Sequence, residues 1–300
     1  SDRGCHCLNG TLHTRKSRGR QMVVSELVRE IEGLINDNAR FEAELIVMSA
    51  LGVTRTQLVI GGRRDVTENE YKRAFEMAAR RKTGEPLQYI LGETEFMSLG
   101  FYVEKGVLIP RADTETLVET VIEEIRDDRT YKVLDICSGS GCVGISIAYY
   151  RNNVTADLVD IDDTALETGK RNIVRNSVDN RVKILKKDIL KEYPDSKYDI
   201  IVSNPPYIES DIIETLQTEV KDYEPHIALD GGADGLIFYR RIAKIAPELL
   251  SENGLIAMEI GYNQAEQVVE LLKNNFDNIQ VIKDLGGNDR VVTGRMISNG

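Results

Sequence analysis

Apolar residues in the first third of the chain recur at helical spacing. From Met22, the positions Val24, Leu27, Val28, Ile31, Leu34 and Ile35 fall three and four apart and share one face. A second face runs through Phe41, Leu45, Met48 and Leu51 and stops at Gly52. Thr67-Glu68-Asn69-Glu70 has the form of a capping box. It opens a helix that carries Tyr71, Ala74, Phe75 and Ala78 and ends near Gly84. These segments predict a small helical domain over residues 22–85. Between Pro86 and Pro110 the spacing shortens, and Tyr89, Ile90, Phe96, Phe101, Tyr102 and Val103 are interrupted by Gly92, Gly100 and Gly106. This predicts a hairpin-bearing connector over 86–110.

From residue 111 to residue 300 the pattern changes again. Asp113 or Thr114 is placed to cap a helix through Leu117, Val118, Val121, Ile122 and Ile125. Strands and helices then alternate: strand Lys132–Ile136, helix Val143–Tyr150, strand Thr155–Asp160, helix Thr164–Asn176, strands Val182–Leu185 and Tyr198–Ser203. A helix over Leu236–Leu250, a strand over Leu255–Ile260 and a helix over Gln264–Asn274 follow. Strands near Ile279–Ile282 and Val291–Met296, joined through Gly286-Gly287, suit an antiparallel edge pair. Regular alternation of this kind predicts a parallel, doubly wound α/β sheet.

One strand ends abruptly. After Tyr198–Ser203 comes Asn204-Pro205-Pro206-Tyr207, and a Pro-Pro pair lacks the backbone donors needed to continue a central strand. An amide, two rigid prolines and an aromatic ring form a fixed, acceptor-rich lip. It lies at the carboxyl edge of the sheet, where open α/β sheets bind ligands, and such a lip can hold an NH2 group.

Composition narrows the partners. Three hundred residues suggest about two domains at ~150 residues each. The 38 basic and 49 acidic residues leave a formal net charge of −11, which argues against wide binding to a phosphate backbone. No run approaches the ~18 to 20 apolar residues of a membrane span, and the N-terminus lacks a signal-peptide core. The expected location is the cytoplasm, with no membrane partner. Cysteines at 5, 7, 137 and 142 match neither a zinc ribbon nor a disulfide framework, so reduced thiols are expected. Cys5-His6-Cys7 with His13 can in principle ligate a metal, but it sits in a leader, residues 1–21, whose composition predicts disorder.

The candidate chemistry lies at the strand ends. Val133-Leu134-Asp135-Ile136-Cys137 runs into Ser138-Gly139-Ser140-Gly141 and then a helix. Glycines there let the backbone approach a ligand beside free helix N–H groups. The spacing is not that of dinucleotide folds, and Asp135 suits an ammonium better than a pyrophosphate. Asp160 ends the next strand, about 20 residues on, where a carboxylate can accept both hydroxyls of a ribose. The plain alternative is a strand-end carboxylate or helix cap, although Asp162 and Asp163 are the better caps. Asp188-Ile189 follows the third strand, placing a carboxylate for an adenine amino group and an apolar neighbour for its ring.

Jointly these features resemble the seven-stranded, Rossmann-like S-adenosylmethionine-dependent methyltransferases, and Asn-Pro-Pro-Tyr narrows the class to those that methylate a nitrogen conjugated to a π-system. Glu85-Pro86-Leu87-Gln88-Tyr89-Ile90-Leu91-Gly92, Glu95-Phe96, Leu108-Ile109-Pro110-Arg111-Ala112-Asp113-Thr114-Glu115, Tyr223-Glu224-Pro225 and Gly231-Gly232-Ala233-Asp234-Gly235-Leu236 resemble the HemK/PrmC family of protein-(glutamine-N5) methyltransferases. The resemblance implies a helical N-terminal domain that grips a class I peptide-chain release factor. It also implies a catalytic domain that methylates the glutamine of the factor's Gly-Gly-Gln loop, yielding S-adenosylhomocysteine. The implied catalytic set is Asn204, Pro205, Pro206 and Tyr207. The implied cofactor set is Asp135, Cys137, Ser138, Gly139, Ser140, Gly141, Asp160, Asp188, Ile189 and Asn204, with no metal and a monomeric chain. Three departures stand out: Ala112 replaces a usual proline, Cys137 a usual glycine, and Ile189 an often aromatic stacking residue. The alternative is an adenine-N6 or guanine-N2 nucleic-acid methyltransferase, against which stand the acidic balance and the lack of a basic recognition domain. A non-catalytic binding module would predict a damaged glycine turn or a lost Asn204, and both are intact.

Overall fold

The computed structural model describes residues 21–35 and 39–297. Cys5-His6-Cys7, His13 and nearly all of the expected leader therefore lie outside the described residues. The chain divides into two compact units, Ser1–Thr83 and Gly84–Gly300.

In the first unit, α1 (Val24–Ile35), α2 (Arg40–Leu51) and α4 (Glu68–Lys82) pack on one another, with α3 (Arg55–Ile60) following α2. α1 buries Val24, Leu27, Val28 and Ile31, as its spacing predicts. α4 opens on a reciprocal capping box: Thr67 Oγ1 accepts from the Glu70 N–H and Glu70 Oε2 accepts from the Thr67 N–H. The expected face of α2 is wrong. It buries Ala43, Ile46, Val47 and Ala50, while Phe41 is 60% exposed. Apolar residues cover most of the circumference of α2, so spacing alone does not choose a stripe, and the small Ala43 and Ala50 let neighbouring helices approach. α3 went unpredicted because fewer than two turns carry little periodicity, yet its capping box, Thr54 with Gln57, is written in the sequence.

The second unit begins with α5 (Leu87–Leu91), a turn of helix ahead of the expected hairpin. Strands β1 (Glu93–Phe96) and β2 (Leu99–Tyr102) pair antiparallel across Met97 and Ser98, both at positive φ, as a two-residue hairpin turn requires. A 3-10 turn, Ala112–Thr114, then leads into α6 (Glu115–Glu124). Neither Asp113 nor Thr114 caps that helix with its side chain, contrary to expectation. Both side chains point to other partners, described below.

The sheet contains β3 (Tyr131–Ile136), β4 (Val154–Asp160), β5 (Val182–Lys186), β6 (Tyr198–Ser203), β7 (Leu250–Glu259), β8 (Phe276–Lys283) and β9 (Asp289–Met296), in the order β5-β4-β3-β6-β7-β9-β8. The first five positions are parallel, whereas β9 runs antiparallel to both β7 and β8. Helices α7 (Cys142–Tyr150) and α8 (Asp163–Arg175) connect β3, β4 and β5. Beyond β6 the chain passes through the short α9 (Thr218–Lys221) to α10 (Ile237–Leu249), and α11 (Ala265–Leu272) follows β7. Alternate strand residues feed two cores. Val133, Ala156, Leu158 and Val202 join one with α6 and α7, and Leu134, Ile136, Val159 and Ile201 join the other with α10 and α11. Both faces of the sheet are covered, so ligand access is left to its edges and ends.

Candidate active site

Strand order reverses at β3: the chain steps outward through β4 and β5, then returns to lay β6 and β7 on the opposite side. The carboxyl ends beside such a switch point diverge and leave a crevice. Here they line a cavity of about 220 Å³.

The turn after β3 forms its floor. Gly139 and Gly141 both have positive φ, and the Gly139 N–H donates to Asp160 Oδ2 at 2.8 Å. Gly139 faces open space, so a ligand can approach its backbone closely. Gly141 instead starts α7, where a Cβ would lie 2.8 Å from Ile145 Cδ1. It shapes the turn without lining the cavity. Asp135 is 1% exposed and accepts one hydrogen bond, from the Gly144 N–H at 2.9 Å. Burial pushes its carboxyl up to about 7, with the charge of Asp160 adding to the effect and the Gly144 N–H opposing it. Cys137 stands at φ +60, in the left-handed region that glycine occupies freely. Burial and the surrounding Asp160, Asp135 and Asp188 push its thiol pKa well up, so it remains a neutral thiol. Ser138 Oγ, also on the cavity wall, is buried without a hydrogen-bond partner among the described residues.

At the end of β4, Asp160 is less free than expected. Its Oδ1 accepts from the Ile161 and Asp162 N–H groups and its Oδ2 from Gly139, which leaves Oδ2 the capacity for a further donor. Asp162 caps α8, accepting from the Thr164 and Ala165 N–H groups, as its position predicts. Asp188 stabilises its own turn through the Leu190 N–H, pairs with Lys191 at 2.7 Å and lines the cavity beside the buried Ile189. An aromatic ring does reach this wall, from an unanticipated place: Phe238, on α10, lines the cavity and packs against the core that contains Ile189.

β6 ends at Ser203, whose Oγ–H donates to the Ile136 carbonyl at 2.6 Å and ties the two central strand ends together. Asn204 and Pro206 line the cavity; Pro205 and Tyr207 do not. Asn204 Nδ2 donates one of its two N–H groups to Thr114 Oγ1 at 3.2 Å, which turns the NH2 side of the amide to Thr114 and leaves Oδ1 as an acceptor. Tyr207 donates to Glu259 Oε1 at 3.4 Å, and its carbonyl accepts from Gln264 Nε2 at 3.0 Å.

Several of the segments that carried the family resemblance lie around this lip and the cavity wall beside it. Arg111, on the cavity wall, pairs with the buried Glu224 at 2.6 Å. A Cβ on Gly231 would lie 2.8 Å from Tyr207 Cα, and one on Gly235, at φ +69, would lie 2.4 Å from the Tyr207 carbonyl oxygen. Glycine is required at both positions because the loop lies directly on the chain leaving Pro206. Thr114, Glu259, Gln264 and Arg290 were not expected at the site. Each comes from a different element, so no local spacing announces them.

The donor set suits S-adenosylmethionine. It offers a buried acid for a cationic end, an unsatisfied hydroxyl, a strand-end carboxylate with acceptor capacity left, and an apolar wall with an acid at its rim for a flat amino-bearing ring. Comparison with known proteins agrees. Residues 111–221 match the Methyltransferase small domain and residues 25–92 the PrmC N-terminal domain. The chain is 43% identical to the release factor glutamine methyltransferase of Clostridium botulinum, over 91% of this chain and 99% of that one. It is 44% identical to that of Clostridium acetobutylicum, over 86% and 92%, and 37% identical to that of Aquifex aeolicus, over 90% and 94%. Among solved structures, the hMettl16 catalytic domain in complex with the MAT2A 3'UTR hairpin 6 superposes with a TM-score of 0.53 at 15% identity, over 78% of this chain and 84% of that one. That likeness concerns the fold alone. With relatives of 37 to 44% identity matched over most of their length and the PrmC N-terminal domain in place, the chain belongs to the release factor glutamine methyltransferase family.

Proposed function

We propose that this chain transfers a methyl group from S-adenosylmethionine to the side-chain amide nitrogen of the glutamine in the Gly-Gly-Gln loop of class I peptide-chain release factors. The observation that carries the reading is the placement of Asn204: it lines the cavity with its Nδ2 held by Thr114, which leaves Oδ1 to accept from a substrate. A primary amide offers two N–H donors, and accepting one of them at Oδ1 and the other at the Pro205 carbonyl orients the nitrogen's delocalised lone pair.

The bound cofactor supplies an electrophilic methyl sulfonium. Asp135 would hold its ammonium, Ser138 would give its carboxylate a hydroxyl donor, Asp160 would accept from its ribose, and Asp188 with Ile189 and Phe238 would receive its adenine. Rigid prolines fix the backbone on which Asn204 rides, so little reorganisation is left for the moment of transfer. Tyr207 does not line the cavity, so its ring would pack on the planar amide where the substrate lies over the lip. On methylation the amide nitrogen exchanges one N–H for N–CH3, and the proton passes to solvent. The helices of the first unit form the grip on the factor, and the acidic net charge of −11 disfavours a nucleic-acid substrate.

One assay tests the reading. Purified chain and radiolabelled cofactor are incubated with a release factor, with its Gln→Ala loop variant, and with duplex DNA. Label is expected on the intact factor only; label on DNA, or equally on both factors, overturns it. Asn204→Ala is expected to abolish transfer while cofactor affinity stays within about tenfold, a ~1.4 kcal/mol window.

A further inference from the structure

Four aspartates, Asp135, Asp160, Asp162 and Asp188, line the cavity against two cationic side chains, Arg111 and Lys187. That balance suits the sulfonium and the ammonium of S-adenosylmethionine, but the cofactor's third charged group is a carboxylate, which such a wall repels. Ser138 Oγ offers it a hydroxyl and no charge. A carboxylate brought out of water into an acid-lined cavity needs a cation. Lys187 is committed elsewhere. Its backbone N–H donates to the Asp160 carbonyl, its Nζ pairs with Glu192 at 2.8 Å, and it adjoins Asp188 and Ile189, the residues placed for the adenine. Arg111 is the cation that remains.

Arg111 stands three residues before Thr114, the hydrogen-bond partner of Asn204, and so belongs to the lip side of the cavity. The reacting end of the cofactor, the sulfonium with its amino-acid chain, must lie on that side for the methyl group to meet an amide held at Asn204. The backbone of Arg111 is extended, at φ −102 and ψ 144, although the next residue is Ala112 and no proline ring enforces that conformation. The side chain is fixed instead by an ion pair: Nη2 donates to Glu224 Oε2 at 2.6 Å. The pair is asymmetric. The Glu224 side chain is 1% exposed and spends its charge inside the protein, whereas 43% of the Arg111 side chain is open. A guanidinium carries five N–H donors in a planar fork, and Glu224 is the only hydrogen-bond partner of this one among the described residues. Donors are left for a second carboxylate. Glu224 sits in the loop that also sends Ile227 and Ala228 to the cavity wall, so the pair joins two walls of the same cavity.

We propose that Arg111 binds the carboxylate of the cofactor, and that the buried Glu224 is the positioning residue that holds the guanidinium for it. This rests on the S-adenosylmethionine reading of the cavity. Paired with Glu224, the guanidinium is not left uncompensated when the cavity is empty, and its fork is set before the ligand arrives.

The full-length chain is tested by calorimetric titration with two ligands, S-adenosylhomocysteine and its carboxyl methyl ester, which keeps the adenosine and the amino group and lacks the negative charge. The readout is the ratio of the two affinities within one protein, so a loss of fold that weakens both ligands alike cancels. Arg111→Gln is expected to lower the preference for the acid over the ester about tenfold or more from its wild-type value, with ester affinity within about threefold. Removing one member of a buried pair strands the other, so Arg111→Gln/Glu224→Gln covers the case in which the single variant does not fold. It is expected to show the same loss of preference. Glu224→Gln alone is expected to lower the ratio about threefold by loosening the fork, with ester affinity unchanged. A wild-type ratio in Arg111→Gln or in the double variant overturns the inference, and so does an unchanged ratio accompanied by a raised KM for the release factor, which would give the guanidinium to the substrate. An unchanged ratio in Glu224→Gln overturns its positioning role. A wild-type chain that binds neither ligand overturns the cofactor reading instead.

Discussion

At the scale of single residues, the cavity couples backbone strain to electrostatics. Cys137 holds a left-handed conformation, at φ +60, that costs an L-residue about 1 to 2 kcal/mol. Cys137→Gly removes that strain but adds roughly 0.5 to 1 kcal/mol of unfolded-state entropy. The variant is therefore expected to gain a few tenths to about 1 kcal/mol in urea unfolding, whereas the β-branched Cys137→Val is expected to lose about 2 kcal/mol or more. Equal stability in the three proteins would show that the turn is not strained. Asp135 carries the electrostatic counterpart. Its raised pKa means that the empty cavity keeps the proton until near pH 7, whereas a cationic ligand favours the ionised form. Binding below neutrality must then expel a proton, so cofactor affinity is expected to tighten by up to about tenfold between pH 6 and pH 8, one pKa unit of coupling. Calorimetry in buffers of different ionisation enthalpy checks the proton release, and Asp135→Asn is expected to abolish it.

At the scale of elements, the lip is a joint between the end of β6 and the glycine loop that precedes α10. Gln264 staples the two, its Nε2 donating to the Tyr207 carbonyl at 3.0 Å and to the Gly235 carbonyl at 3.4 Å. Gly235→Ala would push a methyl group to within 2.4 Å of the Tyr207 carbonyl oxygen, so the joint must open. The variant is expected to lose roughly 2 to 3 kcal/mol of stability and most of its kcat. Gly287→Ala is the matched control: it has a similar φ of +83, but no neighbour lies within 4 Å. It is expected to cost about 1 kcal/mol, the strain alone, and to leave turnover intact. Similar kcat values for the two variants would mean that the contact on Tyr207 carries no function. The same reasoning shows why the segments that resembled a family are spread along the sequence. Arg111, its partner Glu224 and the loop that holds Gly231 and Gly235 come from three separate stretches of the chain.

At the scale of the whole molecule, the two units have separate tasks in the proposed reaction. A chain starting at Gly84 is expected to bind cofactor with unchanged affinity but to methylate an intact release factor at least tenfold less efficiently in kcat/KM; unchanged efficiency would reduce the first unit to a structural cap. Much of the catalytic unit is legible without coordinates. The strand-helix alternation, the β-strand ended by Pro205-Pro206, the acids at strand ends and the Asp162 cap all follow from local rules: period, missing donors and turn chemistry act within a few residues. Among the described residues no helix is long and apolar enough to cross a membrane. What local rules miss is whatever depends on choosing among equivalent faces or on meeting a distant partner. α2 is apolar on most sides, and only its neighbours select Ala43, Ile46, Val47 and Ala50 for burial. Thr114 reads as a helix cap, but the tertiary fold gives its hydroxyl to Asn204, 90 residues away. Glu259 ends an ordinary apolar strand, and only the pairing of β7 with β6 sets it behind Tyr207. The sequence by itself determined the fold class, the strand-end acids and the amide-bearing lip, because these need only neighbours along the chain. Tertiary structure alone decided how that lip is held, because hydrogen-bond partners drawn from β7, the residue before α11 and the turn before α6 become neighbours only when the chain folds.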